Sequence, residues 1–223
     1  MNTTPPASGA QRSRNRRGQG ERLREDILTV TLRLLDELAD DQALSLRAVA
    51  REAGVAATSV YLHFADHDAL VLAAMERCHG DLTEAVDRAD TGADGDPVAS
   101  LRARTLVMGE WAFQHPGLYK VLHESTINQR ANTSFRYDLT EGSTAAVQRC
   151  MDAGLAPADD AAAVALDLRA AVHGAVSIRL NQSKESGRQW PPLEEQVERF
   201  LVKLVGVARS GAGAGAEAGA SRG

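Results

Sequence analysis

The chain is poor in cysteine and in aromatic residues. Its 223 residues include two cysteines, Cys78 and Cys150, which are far apart and match no metal-ligand spacing. We therefore expect both to be small buried apolar residues, with a thiol redox switch as the alternative. Aromatic residues make up only 4% of the chain, so alanine, leucine and valine must fill the core.

Long apolar runs are also missing. No run approaches the ~18 residues that span a membrane. The N-terminus is basic, but it lacks the apolar stretch of a signal peptide. These absences predict a cytoplasmic protein that has no membrane partner.

The residue sets that enzymes use are absent from the sequence. There is no glycine-rich phosphate loop, no nucleophile elbow and no paired cysteine. His63 and His67 are four residues apart, but they straddle a helix junction and so make a poor zinc site. We therefore expect no catalytic residues, no metal, no cofactor and no enzymatic activity.

Positive charge is concentrated at one end of the chain. The net charge is −5, yet residues 1–24 carry six arginines and one acid, which is +5, so the rest carries −10. A positive end on a negative body is expected where only that end meets phosphates. By composition, residues 1–19 should form a disordered basic arm. The arm is either a solubilising tail or a segment that neutralises phosphates or enters a minor groove.

Helix formers dominate the remaining sequence and alternating β-branched patterns are few, which predicts an all-α fold. Apolar steps of three and four residues from Leu23 to Leu38 predict a first helix over residues 20–40. A loop over 90–96, with proline and acidic residues at later helix starts, predicts further helices downstream. The Gly/Ala-rich segment 210–223 is expected to be a disordered tail.

Residues 44–70 have the pattern of two short helices joined by a tight turn, followed by the start of a third. Ser45 is positioned to cap the first helix, and Gly54 stands where a helix end favours a left-handed residue. Val60 and Phe64 would form the inner face of the second helix. This arrangement predicts a helix-turn-helix. Its outer face would carry hydrogen-bonding side chains suited to a major groove, namely Thr58, Ser59, Tyr61 and His63.

At these residues the sequence resembles the TetR family of bacterial repressors. The matching pattern is Arg47-x-Val49-Ala50-x-x-Ala53-Gly54-Val55, then Val60-Tyr61-x-His63-Phe64, then Leu70. The resemblance implies a helix-turn-helix DNA-binding domain over 20–70 and a helical ligand-binding and dimerisation domain over 71–209. His67 stands where the family usually has a lysine that meets a DNA phosphate, so that interaction is either missing or pH-dependent. The DNA-binding residues implied are Arg47, Ala57, Thr58, Ser59, Tyr61, His63 and His67.

The C-terminal half carries two further resemblances to the family. The string Phe113-x-His115-Pro116-x-Leu118-Tyr119-x-Val121-Leu122 resembles regulatory domains in which such a break separates two ligand-domain helices. The stretch 170–180, AAVHGAVSIRL, resembles the His-Gly motif helix of one subgroup, although Ala170 stands where that subgroup often has tryptophan.

Ligand contacts are expected from scarce aromatic residues and from an i, i+4 polar pair on one helix. The alternatives are core positions for the aromatic residues and surface or interface positions for the pair. The candidate ligand-binding residues are Trp111, Tyr119, Phe135, Arg169 and His173.

The resemblance implies a homodimeric repressor that binds a palindromic double-stranded DNA operator. A small-molecule effector would bind between the predicted fifth helix, which begins at Pro97, and the predicted eighth helix, which begins near Pro157. Its binding would move apart the two copies of the second helix of the helix-turn-helix and release the DNA. The last two long helices would pair with their copies. Two other classes stay open: a helical DNA-binding protein without a ligand, and a small-molecule-binding helical protein whose DNA reader has decayed. The expected interface residues are Val172, Ala175, Val197, Leu201 and Leu204.

Overall fold

The computed structural model describes residues 9–127, 135–182, 187 and 189–208, and none of these residues forms a strand. The all-α class predicted from the sequence is therefore confirmed. The predicted tail over 210–223 lies outside the described residues. The helices are α1 (Gly9–Leu38), α2 (Leu46–Glu52), α3 (Ala57–Tyr61), α4 (His67–Thr91), α5 (Pro97–Gln114), α6 (Pro116–Glu124), α7 (Phe135–Asp152), α8 (Ala161–Leu180) and α9 (Leu193–Phe200), with a 3₁₀ turn at Asp41–Ala43 and a π-helical turn at Leu201–Val205.

The first helix begins earlier than the sequence predicts. The backbone is helical from Gly9, whereas the start was expected at Gly20 and residues 1–19 were expected to be disordered. Glutamine and arginine are good helix formers, and no proline follows Pro6 in this region, so nothing in residues 9–18 interrupts the helix. The helix ends at Leu38, and Ala39 then takes a left-handed φ of 51°.

The chain divides into two compact units. Unit 1 comprises Met1–Cys78 and Gly117–Asn132, and unit 2 comprises His79–Pro116 and Thr133–Gly223. The division therefore falls inside α4, eight residues beyond the expected boundary at 70, and it groups α6 with the helix-turn-helix.

Long-range contacts within unit 1 explain this grouping. The Asp36 carboxylate on α1 accepts hydrogen bonds from the N–H groups of Gly117 (2.8 Å) and Leu118 (3.0 Å) in the first turn of α6. A Cβ at Gly117 would lie 1.9 Å from the Asp36 carbonyl oxygen, so only glycine allows this approach. On α4, Arg77 donates to Glu25 Oε2 (3.1 Å) and Thr29 Oγ1 (3.0 Å) of α1.

Apolar residues from separate helices form the core of unit 1. Ile27 and Leu35 of α1, Val49 of α2, Val60 of α3 and Leu70 of α4 are completely buried. Their side chains fix the two short helices against α1 and α4. Burial of this apolar surface, rather than helix propensity, stabilises such short helices.

Unit 2 is a bundle of α5, α7, α8 and α9 with a buried polar cluster. Arg104 of α5 is buried and donates to Asp90 (3.0 Å), which also accepts from Arg149 of α7 (3.1 Å). Burial raises the pKa of Asp90, but the Ser100 hydroxyl and the two guanidinium groups outweigh it and hold the pKa below its ordinary value. Gly142 lies so close that a Cβ there would meet the Arg104 guanidinium. The cluster joins α4, α5 and α7.

Both cysteines are buried thiols, as the sequence predicts. Burial raises the pKa of Cys150, which keeps it in the protonated, less reactive form. Cys78 is buried on α4.

Among the described residues, one helix is long and apolar enough to cross a membrane by length and composition, namely α8. The sequence expectation considered only uninterrupted apolar runs, whereas α8 reaches this hydropathy through many alanines around Asp167 and Arg169. A core helix of a helical bundle passes the same test, and α8 buries residues such as Leu168 and Val176 inside unit 2.

Candidate nucleic-acid interface

The start of α2 and the following turn are set by two local signals. Ser45 Oγ accepts a hydrogen bond from the Ala48 N–H at 3.1 Å, as a helix cap does. Gly54 has a φ of 68°, and the Val55 N–H donates to the Ala50 carbonyl at 2.9 Å, which closes the helix end. The sequence predicts both features because each depends on residues only a few positions apart.

The second helix of the motif, α3, is shorter than expected. It spans Ala57–Tyr61, whereas the sequence analysis placed Phe64 on the inner face of this helix. The chain continues as a tight turn, since the N–H groups of both His63 and Phe64 reach the Val60 carbonyl at 3.0 Å.

Three of the seven predicted DNA-binding residues are exposed on the helix-turn-helix. Arg47 and Thr58 are exposed, and Tyr61 is 56% exposed. Leu62 is absent from the predicted set, yet it is 84% exposed, the highest value among the exposed large apolar side chains of the described residues. The exposure of Leu62 could not be predicted from the periodicity of apolar residues, because a leucine next to core positions is ordinarily assigned to the core. The half-buried members of the predicted set are Ala57, Ser59, His63 and His67.

The N-terminal part of α1 lies beside the end of α3. A Cβ added at Gly20 would lie 3.9 Å from His63 Cε1. The Arg24 guanidinium lies 5.4 Å from the centroid of the Phe64 ring, within the range of a cation–π contact. The face of α1 that contains residues 20 and 24 therefore lies beside the turn that follows α3.

His67 is engaged within unit 1 at both ring nitrogens. Nε2 donates to the Asp41 carbonyl oxygen at 2.9 Å, and Nδ1 lies 3.1 Å from Asp68 Oδ1. Asp66 caps the same helix, since its Oδ1 accepts from the Ala69 N–H at 2.8 Å.

Asp41 connects this region with α6. Its side chain is buried, and Oδ2 accepts hydrogen bonds from Ser125 Oγ and from Gln42 Nε2, both at 3.0 Å. Ser125 Oγ in turn accepts from the Ile127 N–H at 3.2 Å. A continuous series of hydrogen bonds thus runs from the end of α6 through Asp41 to His67 at the start of α4.

Of the five predicted ligand-binding residues, the four whose side chains the structure describes lie at three different places. Trp111 is half-buried, with its ring centroid 5.3 Å from that of His115. Tyr119 belongs to unit 1, where its ring lies 4.5 Å from that of His123, and burial raises the pKa of Tyr119 to about 12. The side chain of Phe135, the first residue of α7, lies outside the described residues.

The polar pair on α8 is exposed rather than enclosed. Arg169 donates to Thr140 Oγ1 of α7 at 2.6 Å, and His173 lies one turn further on the outer surface. Exposure in the single chain agrees with the surface or interface position that the sequence left open as the alternative, and ligand binding by this pair stays a prediction.

A different cluster in unit 2 brings a guanidinium group close to two aromatic rings. The Arg179 guanidinium lies 5.8 Å from the ring centroids of both Phe113 and Trp190, and it donates to the Pro191 carbonyl (2.8 Å) and to Gln196. Its Nε is buried without a hydrogen-bond partner. Burial and the neighbouring Arg199 lower the pKa of Arg179. The scarcity of tryptophan and phenylalanine is the only sequence signal for this cluster.

The five residues predicted for the dimer interface differ in their exposure in the single chain, and the interface itself stays a prediction. Val197 and Leu201 are 0% exposed in the single chain, and Val172 and Ala175 are buried as well. Surface that is already buried inside one chain cannot be buried again between two chains. Leu204 remains 38% exposed. The large apolar residues of α8 that do face outward are Leu166 (53%) and Ile178 (57%).

Two family descriptions match the chain. Residues 27–74 match the bacterial regulatory proteins of the tetR family, and residues 101–204 match the tetracyclin repressor-like C-terminal domain. The chain is 36% identical over 118 residues to the HTH-type transcriptional regulators Mb1846 of Mycobacterium bovis and Rv1816 of Mycobacterium tuberculosis. The aligned part is 50% of this chain and 48% of each regulator, so the chain spans about half the length of the curated relatives it matches.

Solved structures share the fold over most of the chain. A protein of unknown function from Rhodococcus sp. RHA1 superposes with a TM-score of 0.67 at 27% identity, covering 82% of this chain and 95% of that one. SmeT, the repressor of the Stenotrophomonas maltophilia multidrug efflux pump SmeDEF, has a TM-score of 0.64 at 21% identity, covering 84% and 91%. The helix-turn-helix falls within one family match and most of the α5–α9 bundle within the other, and the chain therefore belongs to the TetR family of bacterial regulatory proteins.

Proposed function

We propose that this chain is a cytoplasmic DNA-binding transcriptional repressor that leaves its operator when a small molecule binds to unit 2. The observation that carries the proposal is the solvent-exposed outer face of a helix-turn-helix whose inner face is fully buried. Val49 and Val60 fix α2 and α3 from inside, while Arg47, Tyr61 and Leu62 project outward. A rigid short helix with exposed polar and apolar side chains suits the width of a B-DNA major groove.

The exposed side chains have distinct roles in this proposal. Thr58, Ser59 and Tyr61 supply hydroxyl groups for base edges or phosphates, and Arg47 supplies a guanidinium group. Leu62 and Ala57 offer methyl groups to thymine C5-methyl groups. His63, which follows α3, supplies an imidazole ring for a phosphate. His67, at the start of α4, is bonded at both ring nitrogens within unit 1, so it would have to give up one of these bonds to reach a phosphate.

Two copies would bind one palindromic operator. A helix with exposed apolar side chains at Leu166 and Ile178 is suited to pairing with a second copy, because pairing removes this surface from water. The small residues Ala170 and Gly174 between them allow close approach of the two helices. Leu204, from the turn after α9, joins this proposed interface.

Ligand release requires a connection from unit 2 to the reader. Helix α6 follows α5 directly at Pro116, and it is bonded at both ends within unit 1, by Asp36 at its start and by the Asp41–Ser125 pair beyond its end. An effector that binds more tightly to one position of α5 increases the population of the conformation with that position. Because α6 follows α5 and is bonded to unit 1, its position and that of the helices bonded to it would change as well. The Arg179 cluster, with its partly desolvated guanidinium, favours an anionic or aromatic effector.

Selection of duplexes from a random DNA pool tests the reader. The expected product is an inverted repeat, and Tyr61→Ala should lose preference for it while keeping the wild-type melting temperature. Recovery of no preferred sequence would contradict the proposal that α3 reads DNA.

A thermal-shift screen of metabolites then tests the effector, since a ligand of the folded state must raise the melting temperature. The hit must also weaken operator binding; a regulator without a ligand would show no such hit.

A further inference from the structure

We propose that Arg179 and Arg199 of unit 2 bind the carboxylate group of a small aromatic acid, and that this acid is the effector. The inference rests on the proposed function, because it names the chemical class of the molecule that releases the DNA. The site is centred on the Arg179 cluster, which we define as Phe113 of α5, Arg179 of α8, Trp190 before α9 and Gln196 on α9.

Arg179 has a positive charge that its contacts do not neutralise. Its Nη2 atom donates to the Pro191 carbonyl oxygen at 2.8 Å and to the Gln196 side-chain oxygen, and both acceptors are neutral. Arg104, in the same unit, also has a buried Nε without a partner, yet a carboxylate oxygen of Asp90 lies 3.0 Å from its guanidinium group. No carboxylate of the described residues forms such an ion pair with Arg179. A shielded charge without a counter-charge is unfavourable, and an anionic ligand would supply what is missing.

A second arginine on α9 adds to this positive charge. Arg199 is half-buried and forms no ion pair with the described residues. It lies three positions after Gln196, so the two side chains share a face of α9, and Gln196 contacts Arg179. Burial lowers the pKa of Arg179, the charge of Arg199 lowers it further, and Glu194 acts in the opposite direction. A carboxylate bound between the two arginines would relieve their mutual repulsion.

One edge of the Arg179 guanidinium suits a carboxylate group. Nε and Nη2 donate from the same edge; Nε has no partner, and Nη2 is bonded to neutral oxygens. A carboxylate in the place of the Gln196 amide would accept from both atoms at once, and such charge-assisted pairs are stronger than bonds to a neutral amide. Binding would therefore release Gln196 and break this bond between α8 and α9.

Two aromatic rings beside the guanidinium define the rest of the ligand. The ring centroids of Phe113 and Trp190 each lie 5.8 Å from Arg179 Cζ, and both side chains are half-buried. The Trp190 indole N–H donates to Gln182, which holds the ring in place. Small-molecule sites combine such partly open rings with a few placed polar groups. An aromatic acid meets both requirements, because its carboxylate pairs with the arginines and its ring packs on the aromatic side chains.

The position of Phe113 connects this site with the proposed release of DNA. It lies at the end of α5, three residues before Pro116, where α6 begins. A ligand that packs on Phe113 acts at the part of α5 whose position the proposed release requires to change.

Isothermal titration calorimetry of the full chain tests the site with benzoate and phenylacetate. The neutral amides of both acids keep the ring and lose the charge, whereas acetate keeps the charge and loses the ring. Wild type should bind the two aromatic acids, and the amides and acetate should bind at least about tenfold more weakly, since each lacks a group that the site contacts.

Four single variants locate the binding. Arg179→Gln and Arg199→Gln should each weaken benzoate binding by about tenfold or more, the effect of losing one charge-assisted bond. Arg199 has no hydrogen bond to the described residues, so Arg199→Gln tests the site even if Arg179→Gln does not fold. Gln196→Ala should bind benzoate more tightly than wild type, because the competing acceptor is removed; a purely structural glutamine would not have this effect. The matched control is Arg169→Gln, which removes an exposed charge from the same helix and should leave the affinity unchanged. Thermal melts confirm that each variant folds.

Several results would overturn the inference: no binding of either acid by wild type at millimolar concentration, amides or acetate that bind as tightly as the acids, wild-type affinity in both arginine variants, an equal loss in Arg169→Gln, or weaker binding by Gln196→Ala. Fluorescence anisotropy then measures operator binding with and without benzoate. If the acids bind as expected but operator affinity is unchanged, the site is not the effector site. If wild type selects no DNA sequence, the proposed function itself falls, and calorimetry still reports on the arginines independently.

Discussion

Ser125 donates a 3.0 Å hydrogen bond to the buried carboxylate of Asp41, and these two residues are 84 positions apart in the chain. Asp41 also holds the ring of His67 through its backbone carbonyl. One short 3₁₀ turn therefore receives a bond from beyond the end of α6 and another from the start of α4. A displacement of α6 would therefore change the position of the Asp41 carboxylate and, through the Asp41 carbonyl, that of the His67 ring.

The first prediction tests this pair. Ser125→Ala removes one donor from a buried carboxylate, which should lower the free energy of unfolding by about 1–3 kcal/mol, because the acceptor stays buried. It should also reduce the coupling between effector and operator binding. Urea unfolding and DNA titrations with and without effector measure the two effects. The matched control is Ser143→Ala, whose hydroxyl donates to the Leu139 carbonyl one turn back. Equal effects in the two variants would show that the Asp41 bond has no special role.

The second prediction concerns the exposed end of α3. Tyr61→Ala and Leu62→Ala should each weaken operator binding by about 1–3 kcal/mol and leave the melting temperature within error of wild type, because neither side chain belongs to the core. Leu155→Ala, at a 45% exposed position of unit 2, is the control. Binding assays and thermal melts suffice; unchanged affinity in both reader variants would place the DNA-contacting surface elsewhere.

The third prediction locates the dimer interface. Ile178→Glu places a charge on the exposed apolar face of α8 and should shift the protein from dimer to monomer in sedimentation velocity, because an unpaired charge at an apolar contact is costly. Leu155→Glu introduces the same charge outside this face and should leave the dimer intact. A dimer of Ile178→Glu as tight as wild type would exclude α8 from the interface.

The fourth prediction concerns acid stability. The folded-state pKa of Asp90 is lowered from 3.8, so its ionised form stabilises the fold above about pH 4, and this contribution is lost as pH falls through the lowered value. Asp90→Asn should therefore be less stable than wild type at pH 7, and the difference should shrink as pH falls below 4. Urea unfolding at several pH values measures it. Asp167→Asn, exposed on α8, should follow the wild-type curve.

Helix ends are the features that could be predicted well from the sequence. Asp96 accepts from the N–H groups of Val98 and Ala99, and Asp160 does the same for Ala162 and Ala163, each capping the helix that follows. These signals act over two or three residues, so they are independent of the rest of the fold. The recurrence of apolar residues likewise located the inner faces of α2 and α3.

The outward or inward position of α8 and α9 residues could not be predicted in the same way. An apolar stripe shows that a face is covered, but not whether its own chain or a second copy covers it. Val197 and Leu201 belong to the stripe that packs inside unit 2, whereas Ile178 lies on the opposite, exposed side. Four of the five residues predicted for the dimer interface are buried within the single chain, where they are covered by other helices of the same chain.

The amino-acid sequence alone determined the all-α class, the helix-turn-helix and the family, because periodicity, caps and motif spacing are local properties of the chain. Tertiary structure decided that α6 belongs to the same unit as the helix-turn-helix, that the buried Asp41 carboxylate accepts from Ser125 and Gln42, and that Arg179 lies near both Phe113 and Trp190. These arrangements join residues that are distant along the chain, and their energies depend on mutual burial and distance. The spacing of residues in a single sequence does not predict which residues, distant along the chain, are buried together in a low-dielectric environment.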